Sequence, residues 1–137
     1  MTTTDPTRRA RIVLGVLFGG AGIAHFAKRE FFDQLVPESL AAYRTPINIG
    51  TGILQIVGAI TMFIPGLRAV ARWTNLALLV PTLPPAVDQI RRPETLRRVG
   101  IPPQLAPVRV LAQLLVIAAT WRSTRPVPGD QLVPESR

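Results

Sequence analysis

The feature that most constrains this chain is an uncharged run of 23 residues, TPINIGTGILQIVGAITMFIPGL, between Arg44 and Arg68. At about 1.5 Å per residue, a helix of this length crosses the ~30 Å hydrocarbon layer of a bilayer. A helix exposed to water would carry a polar stripe, whereas the middle of this run offers only Thr51, Gln55 and Thr61. Shorter uncharged stretches flank it at 12–27, 73–87 and 110–121. The sequence therefore predicts an integral membrane protein.

The hydropathy pattern predicts an all-α fold, an integral membrane four-helix bundle. One membrane domain over residues 10–122 is expected to hold four spans, at about 10–27, 45–65, 67–87 and 107–121. Residues 1–9 are expected to form an N-terminal tail and residues 123–137 a disordered C-terminal tail. No small-residue cleavage site follows the first apolar run, which is therefore interpreted as an uncleaved span rather than a signal peptide.

Between spans one and two, the segment FFDQLVPESL carries apolar side chains near helical spacing, at Phe31, Phe32, Leu35 and Val36. This spacing predicts an interfacial amphipathic segment that lies along the membrane surface. At the start of span two, Thr45 is expected to cap the helix and Pro46 to occupy its first position.

Prolines predict where the helices end. Pro65 and Gly66 are expected to end span two and to return span three antiparallel. Within span three, prolines at positions 81, 84 and 85 remove backbone donors and must kink or end the helix. Carbonyls freed at that depth need a partner in protein or water. This region is therefore expected to face the bundle interior, another protein or the interface.

A stripe of small residues lies along span one at Gly15, Gly19 and Gly22. Residues at this spacing share one face of a helix and let a second helix approach closely. Packing within the chain is favoured over dimerisation as the use of this stripe.

The formal net charge is +8, and all but one of the 16 cations are Arg. They lie in small groups between the apolar spans, which fits membrane lipids with anionic head groups as partners. No basic face with interleaved aromatics is present, so no nucleic-acid partner is expected. The chain has no Cys, which excludes disulfides, iron–sulfur clusters and thiolate chemistry.

Four spans would place both termini on one side, but the cations divide evenly between the two sides. The first span usually dominates orientation, and it is preceded by Arg8, Arg9 and Arg11. We therefore expect a multi-pass protein of the bacterial plasma (inner) membrane with both termini cytoplasmic.

His25 is the only histidine and lies at the end of span one. It could be a proton relay, a hydrogen-bond donor to a quinone or a haem ligand. Haem is disfavoured because a second histidine is lacking, and no spacing of ligands suits a metal. The favoured alternative is an interfacial histidine bonded to the backbone or to a loop residue such as Glu30 or Asp33.

Two amides lie inside the spans, Gln55 in the second and Asn75 in the third. Buried amides can link helices, which is the favoured interpretation, or line a ligand cavity. No acid or base lies deep in a span, and no catalytic set of residues is present, so catalysis by this chain alone is not expected.

The segments GIAHFAKREFFDQLVPESL, TGILQIVGAITMFIP, RAVARWTNLALLVPTLPPAV and PPQLAPVRVLAQLLVIAATWR, in this order, resemble the small DoxX-like membrane proteins. The most specific part is His25-Phe26, followed by Phe31-Phe32 and Val36-Pro37. The resemblance implies a four-helix membrane bundle, and the family takes its name from a small subunit associated with a quinol oxidase or thiosulfate:quinone oxidoreductase. The chain departs from that family at Gln55, where a Glu is frequent, and at 84–86, where Pro-Pro-Ala replaces Pro-Ala-Asn.

The preferred functional hypothesis is a non-catalytic accessory subunit of a larger inner-membrane redox or transport complex, with protein partners and no cofactor of its own. A second hypothesis is a quinone-interacting subunit, with His25, Phe31 and Phe32 at the head-group site. A third is a small-solute or lipid transporter acting as an oligomer, with Gln55 and Asn75 lining a path.

Overall fold

A computed structural model describes residues 5–126, which are helical apart from short turns and connections, with no strand in that range. Seven α-helices follow one another in this described range: α1 (Arg8–Ala27), α2 (Arg29–Leu35), α3 (Arg44–Phe63), α4 (Arg68–Leu79), α5 (Leu83–Arg91), α6 (Glu94–Arg98) and α7 (Ala106–Ser123). Short 3₁₀ turns precede three of them, at Glu38–Tyr43, Pro65–Leu67 and Pro103–Leu105. The predicted all-α class is confirmed.

Three helical stretches of the described chain are long and apolar enough to cross a membrane. They are α1, the continuous stretch Glu38–Phe63 that ends in α3, and the stretch Pro103–Ser123 that contains α7. The predicted first, second and fourth spans fall on these three stretches. The predicted third span does not form one helix, because it is divided between α4 and α5.

The break between α4 and α5 lies where the prolines predict it. Pro81 has no N–H, and its ring clashes with the carbonyl one turn earlier, so the helix cannot continue through it. The Thr82 hydroxyl donates to the carbonyls of Leu78 and Leu79, at 2.9 and 3.1 Å. Gln113 of α7 donates to the carbonyl of Leu79 at 2.8 Å and to the Thr82 hydroxyl at 3.0 Å. The break therefore faces α7, which supplies a donor for its backbone.

The core forms where α1 packs antiparallel on α3. Leu14 and Phe18 of α1 join Ala59 and Met62 of α3 and Ala71 of α4 in one buried cluster. The approach is close because glycines line both helices: a Cβ built on Gly22 would lie 3.0 Å from the carbonyl oxygen of Gly52. Small residues let backbones approach in this way, and dispersion contacts between them stabilise the pair.

A cluster of polar side chains, which we call the terminal clamp, joins the start of α1 to the start of α4 and the end of α7. Asp5 pairs with Arg11 at 2.7 Å and with Arg68 at 3.0 Å. Arg11 also donates to the carbonyl of Ser123 at 3.2 Å. Beside this cluster, the Arg72 guanidinium lies 4.5 Å from the ring centroid of Trp121. The start of α1 and the end of α7 therefore lie at the same end of the molecule.

The opposite end of the molecule holds α2 and α6, which contact each other. Arg98 of α6 lies 3.7 Å from Glu38, and Arg44 pairs with the same carboxylate at 2.5 Å. Because α4 starts at the terminal clamp and α6 lies at the other end, the pair α4 and α5 runs the length of the molecule.

The structure departs from the sequence-based expectations at the start of α3 and at the end of α7. The predicted cap by Thr45 is wrong: α3 begins at Arg44, and no side chain caps its first turn. The Thr45 hydroxyl instead lies 3.4 Å from a carboxylate oxygen of Asp33, a tertiary contact that occupies it.

Of the predicted C-terminal tail, residues 127–137 lie outside the described range, whereas Ser123 ends α7 and Thr124 after it is buried.

Candidate functional site

The candidate site lies where α1 ends and α3 begins, beneath α2. His25 is in the last turn of α1, and the first turns of α3 bring Asn48 beside it. Asn48 is 2 % exposed, so each of its polar atoms needs a partner within the protein. The Asn48 Oδ1 and His25 Nδ1 atoms form a hydrogen bond.

The orientation of the Asn48 amide is fixed by its surroundings. Its Nδ2 donates to Asp33 Oδ1 at 2.7 Å, and it lies 3.2 Å from the carbonyl of Arg29 and 3.4 Å from that of His25. All three neighbours are acceptors. A flipped amide would set Oδ1 against these oxygens, which is unfavourable, so Oδ1 must face the imidazole.

This orientation also fixes the tautomer of His25. Because Asn48 Oδ1 can only accept, His25 Nδ1 must carry the proton and donate it. In the neutral imidazole, Nε2 then carries the lone pair and is an acceptor. Within residues 5–126, Nε2 makes no hydrogen bond. The partly buried imidazole thus has one nitrogen held by the fold and one left available to a ligand.

Aromatic rings cover the imidazole. Phe32 of α2 stacks on His25 with 3.9 Å between ring centroids and 27° between the ring planes. Phe31 meets Phe32 edge to face at 5.2 Å. The three residues His25, Phe31 and Phe32, expected together from the sequence, do lie together. They form an aromatic cluster next to an acceptor nitrogen, with Phe32 stacked on the imidazole and Phe31 perpendicular to Phe32.

Asp33 connects this network to the start of α3. Its second carboxylate oxygen lies 3.6 Å from Arg29 Nε and 3.4 Å from the Thr45 hydroxyl. Thr45 in turn accepts from Arg29 at 3.2 Å. The negative charge of Asp33 is therefore compensated by Arg29, and His25 contacts it only through the Asn48 amide.

The other two candidate residues lie away from His25. Asn75 of α4 is fully buried against Gly58 of α3, and its Nδ2 donates to the carbonyl of Ala71 at 2.9 Å. Gly58 is six residues beyond Gly52, which contacts His25, so the two places are about 9 Å apart along α3. Gln55 is partly buried, and its Oε1, like Asn75 Oδ1, has no hydrogen-bond partner among the described residues.

The glycine stripe of α1 lies against α3. A Cβ on Gly15 would lie 2.6 Å from the ring of Phe63, and one on Gly22 would lie 2.8 Å from Ile56. Gly19 is less crowded, with Ala59 at 3.5 Å. This face of α1 is occupied by its own chain.

In the described part of the chain, no group of three or more His, Asp or Glu residues could hold a metal ion. The arrangement suits a hydrogen-bonding and stacking role for His25 rather than coordination chemistry.

Sequence reasoning missed Asn48, the residue that orients His25. One signal was present: Asn48 is four residues before Gly52, so the two share a face of α3 at the place where helix approach is closest. Choosing Asn48 over the other polar residues of the run required the register of α1 on α3, which no local pattern contains.

Comparisons with known proteins give one finding. The chain matches the family described as a domain of unknown function, DUF8561, over residues 14–124. No curated protein and no solved structure matches the chain. The matched region contains the His25 site, the α4–α5 break and all of α7. Since this match covers most of its length, the chain belongs to the DUF8561 family.

Proposed function

We propose that the protein is a multi-pass protein of the bacterial plasma membrane, with α4 and α5 together forming a fourth crossing. The support is the surface of the apolar helices. Val16 of α1 and Leu115 of α7 are 66 % and 63 % exposed in the middle of these helices. In water such surfaces would favour aggregation, whereas lipid chains cover them without cost. Both termini then share one side, which we propose is the cytoplasm.

We further propose that the protein is a non-catalytic accessory subunit of a membrane redox complex. In that complex, this subunit contributes a binding site for a quinone head group. The observation that carries this proposal is the state of His25, with Nδ1 held by a buried amide and Nε2 left available. The site lies at the end of α1, at the depth where the head group of a membrane quinone can reach it. The DoxX-like resemblance points in the same direction.

The chemistry follows from the tautomer. A quinol hydroxyl can donate to the Nε2 lone pair while its ring packs beside Phe31 and Phe32. Removing a quinol O–H from water without a partner would cost binding free energy, and the histidine acceptor offsets that cost.

The first test is quinol binding by the purified full chain in lipid nanodiscs, with a short-chain benzoquinol as the probe. His25→Phe keeps an aromatic ring in contact with Phe32 but removes the acceptor. We expect it to weaken binding at least tenfold, which corresponds to about 1.4 kcal/mol. Met62→Leu, a volume-conserving change in the α1–α3 core, is the matched control and should bind like the wild type.

Equal binding by wild type and His25→Phe would overturn the quinone proposal and leave His25 as a helix-linking residue. The accessory role is tested separately, by gentle purification of the tagged protein from native membranes followed by mass spectrometry. A stable monomer with no co-migrating protein would contradict membership of a complex.

A further inference from the structure

A second site lies at the same end of the molecule as α2, in a separate cleft between α6 and the first turns of α7. Its volume is about 250 Å³. The walls are almost entirely apolar and include Leu96, Ile101, Leu105, Val108 and Ala112. Leu96 is fully buried, so the wall of the cleft at α6 is part of the packed interior of the protein. The cleft shares no residue with the His25 site.

One charged side chain, Arg109, lines this apolar cleft. Its Nη1 donates to Gln89 Oε1 at 2.5 Å, and Gln89 is buried at 8 % exposure. Gln89 is neutral, and no carboxylate within residues 5–126 pairs with the guanidinium. A partly buried cation without a counter-charge is unfavourable, and its remaining N–H groups are suited to an anion with several oxygens.

The surroundings add positive charge. Arg91 at the end of α5 and Arg97 of α6 are exposed and make no ion pair with a described residue. Arg92 and Arg98 have acidic neighbours only at 3.9 and 3.7 Å. Residues 88–98 carry four Arg against two carboxylates, Asp88 and Glu94, so the net charge of this segment is positive and attracts anions.

The apolar wall continues beyond the cleft along α7. Val108, Ala112 and Leu115 follow one another at helical spacing, and Val108 and Leu115 are 59 % and 63 % exposed. This stripe runs from the charged Arg109 toward the middle of the helix. It offers an uninterrupted apolar path of about 10 Å.

We propose that this cleft, the α6–α7 cleft, binds one anionic phospholipid. The phosphate contacts Arg109, and an acyl chain occupies the cleft and follows the stripe along α7. The combination of an uncompensated cation with an apolar path matches an amphiphile with an anionic head group. The proposal rests on the membrane placement proposed above but is independent of quinone binding.

The test uses the purified full chain in a neutral detergent with phosphatidylglycerol or phosphatidylcholine added, followed by thermal unfolding and native mass spectrometry. We expect phosphatidylglycerol to raise the unfolding temperature more and to be retained as a single bound molecule. Arg109→Gln should weaken this binding about fivefold, the usual effect of one cation near an anionic lipid. Arg125→Gln removes the same charge at the exposed opposite end and is the matched control.

A second variant tests the acyl chain. Ala112 is exposed at the cleft, so Ala112→Phe fills it without disturbing the core or the charge. It should also lose the retained lipid. Equal weakening by Arg109→Gln and Arg125→Gln, or equal effects of the two lipids on the wild type, would overturn the proposal and indicate non-specific attraction.

Discussion

The contact between Asn75 and Gly58 shows how one missing side chain sets the distance between two helices. A Cβ on Gly58 would overlap the Asn75 amide, with Cγ only 2.7 Å away. Asn75 is fully buried, and its Nδ2 donates to the carbonyl of Ala71 at 2.9 Å, so moving its side chain aside would disturb that hydrogen bond. Replacing either residue should therefore affect both helices.

Gly58→Ala is expected to destabilise the protein by about 1–3 kcal/mol, because overpacking forces α3 and α4 apart. Gly50→Ala, on the same helix, has open space around its Cβ and should be neutral or slightly stabilising, since Ala favours helices. Thermal unfolding in detergent measures both changes. Adding Asn75→Ala to Gly58→Ala should recover part of the loss, and strict additivity of the two changes would contradict the overlap.

At the scale of elements, the division of the third apolar segment is the feature that most distinguishes this fold from a regular bundle. Its position was predictable because Pro81 cannot continue a helix. The partner was not predictable, because Gln113 lies 34 residues from Leu79 and has no local reason to face it. At the start of α3, too, a tertiary contact decided what the local sequence could not predict. Thr45 is a good capping residue, but its hydroxyl contacts Asp33 instead.

Gln113→Leu removes the interhelical donor to the Leu79 carbonyl and to the Thr82 hydroxyl while keeping a similar volume, and leaves only the local bond from Thr82 to Leu79. We expect a loss of about 1–2 kcal/mol of unfolding free energy and faster hydrogen exchange confined to residues near the break. Gln104→Leu, an exposed position before α7, is the control and should leave both measurements unchanged. Uniform loss of protection over all helices would show that Gln113 does not act locally.

At the scale of the whole molecule, hydropathy was enough to place α1, α3 and α7, whereas the two polar clusters at the ends depended on tertiary contacts. The terminal clamp brings together Asp5, Arg68 and Ser123, and nothing in their local sequence links them. His25 was recognised because it is unique in the chain, but its network was not. Helices could be predicted from periodicity, and the contacts between them required the assembled bundle.

Hydrogen bonds donated by Thr7 and Arg11 hold the pKa of Asp5 well below its usual value. Because the folded state binds this proton more weakly than the unfolded chain, the carboxylate stabilises the fold fully above pH ~4. The stabilisation is lost as the pH falls from there toward the lower folded pKa. We expect Asp5→Asn to be less stable than wild type at pH 7 by about 1–3 kcal/mol. The difference should shrink by about 1 kcal/mol per pH unit below pH 4.

Unfolding measured at pH 7, 4 and 3 tests this expectation, because the other carboxylates titrate equally in both proteins and cancel in the difference. A difference that stays constant over this range would show that the clamp does not depend on the ionised Asp5.

The terminal clamp also has a consequence for the order in which the protein is completed during synthesis. Arg11 belongs to the first helix of residues 5–126, and its acceptor at Ser123 is 112 residues later, at the end of the last helix in that range. Early in translation this guanidinium has Asp5 and Thr7 beside it but lacks the carbonyl that completes its surroundings. The Arg11 guanidinium of α1 therefore lacks one hydrogen-bond acceptor until α7 has been synthesised. The hydrogen bonds of Arg11 are therefore complete only after α7 has been synthesised and has packed beside α1.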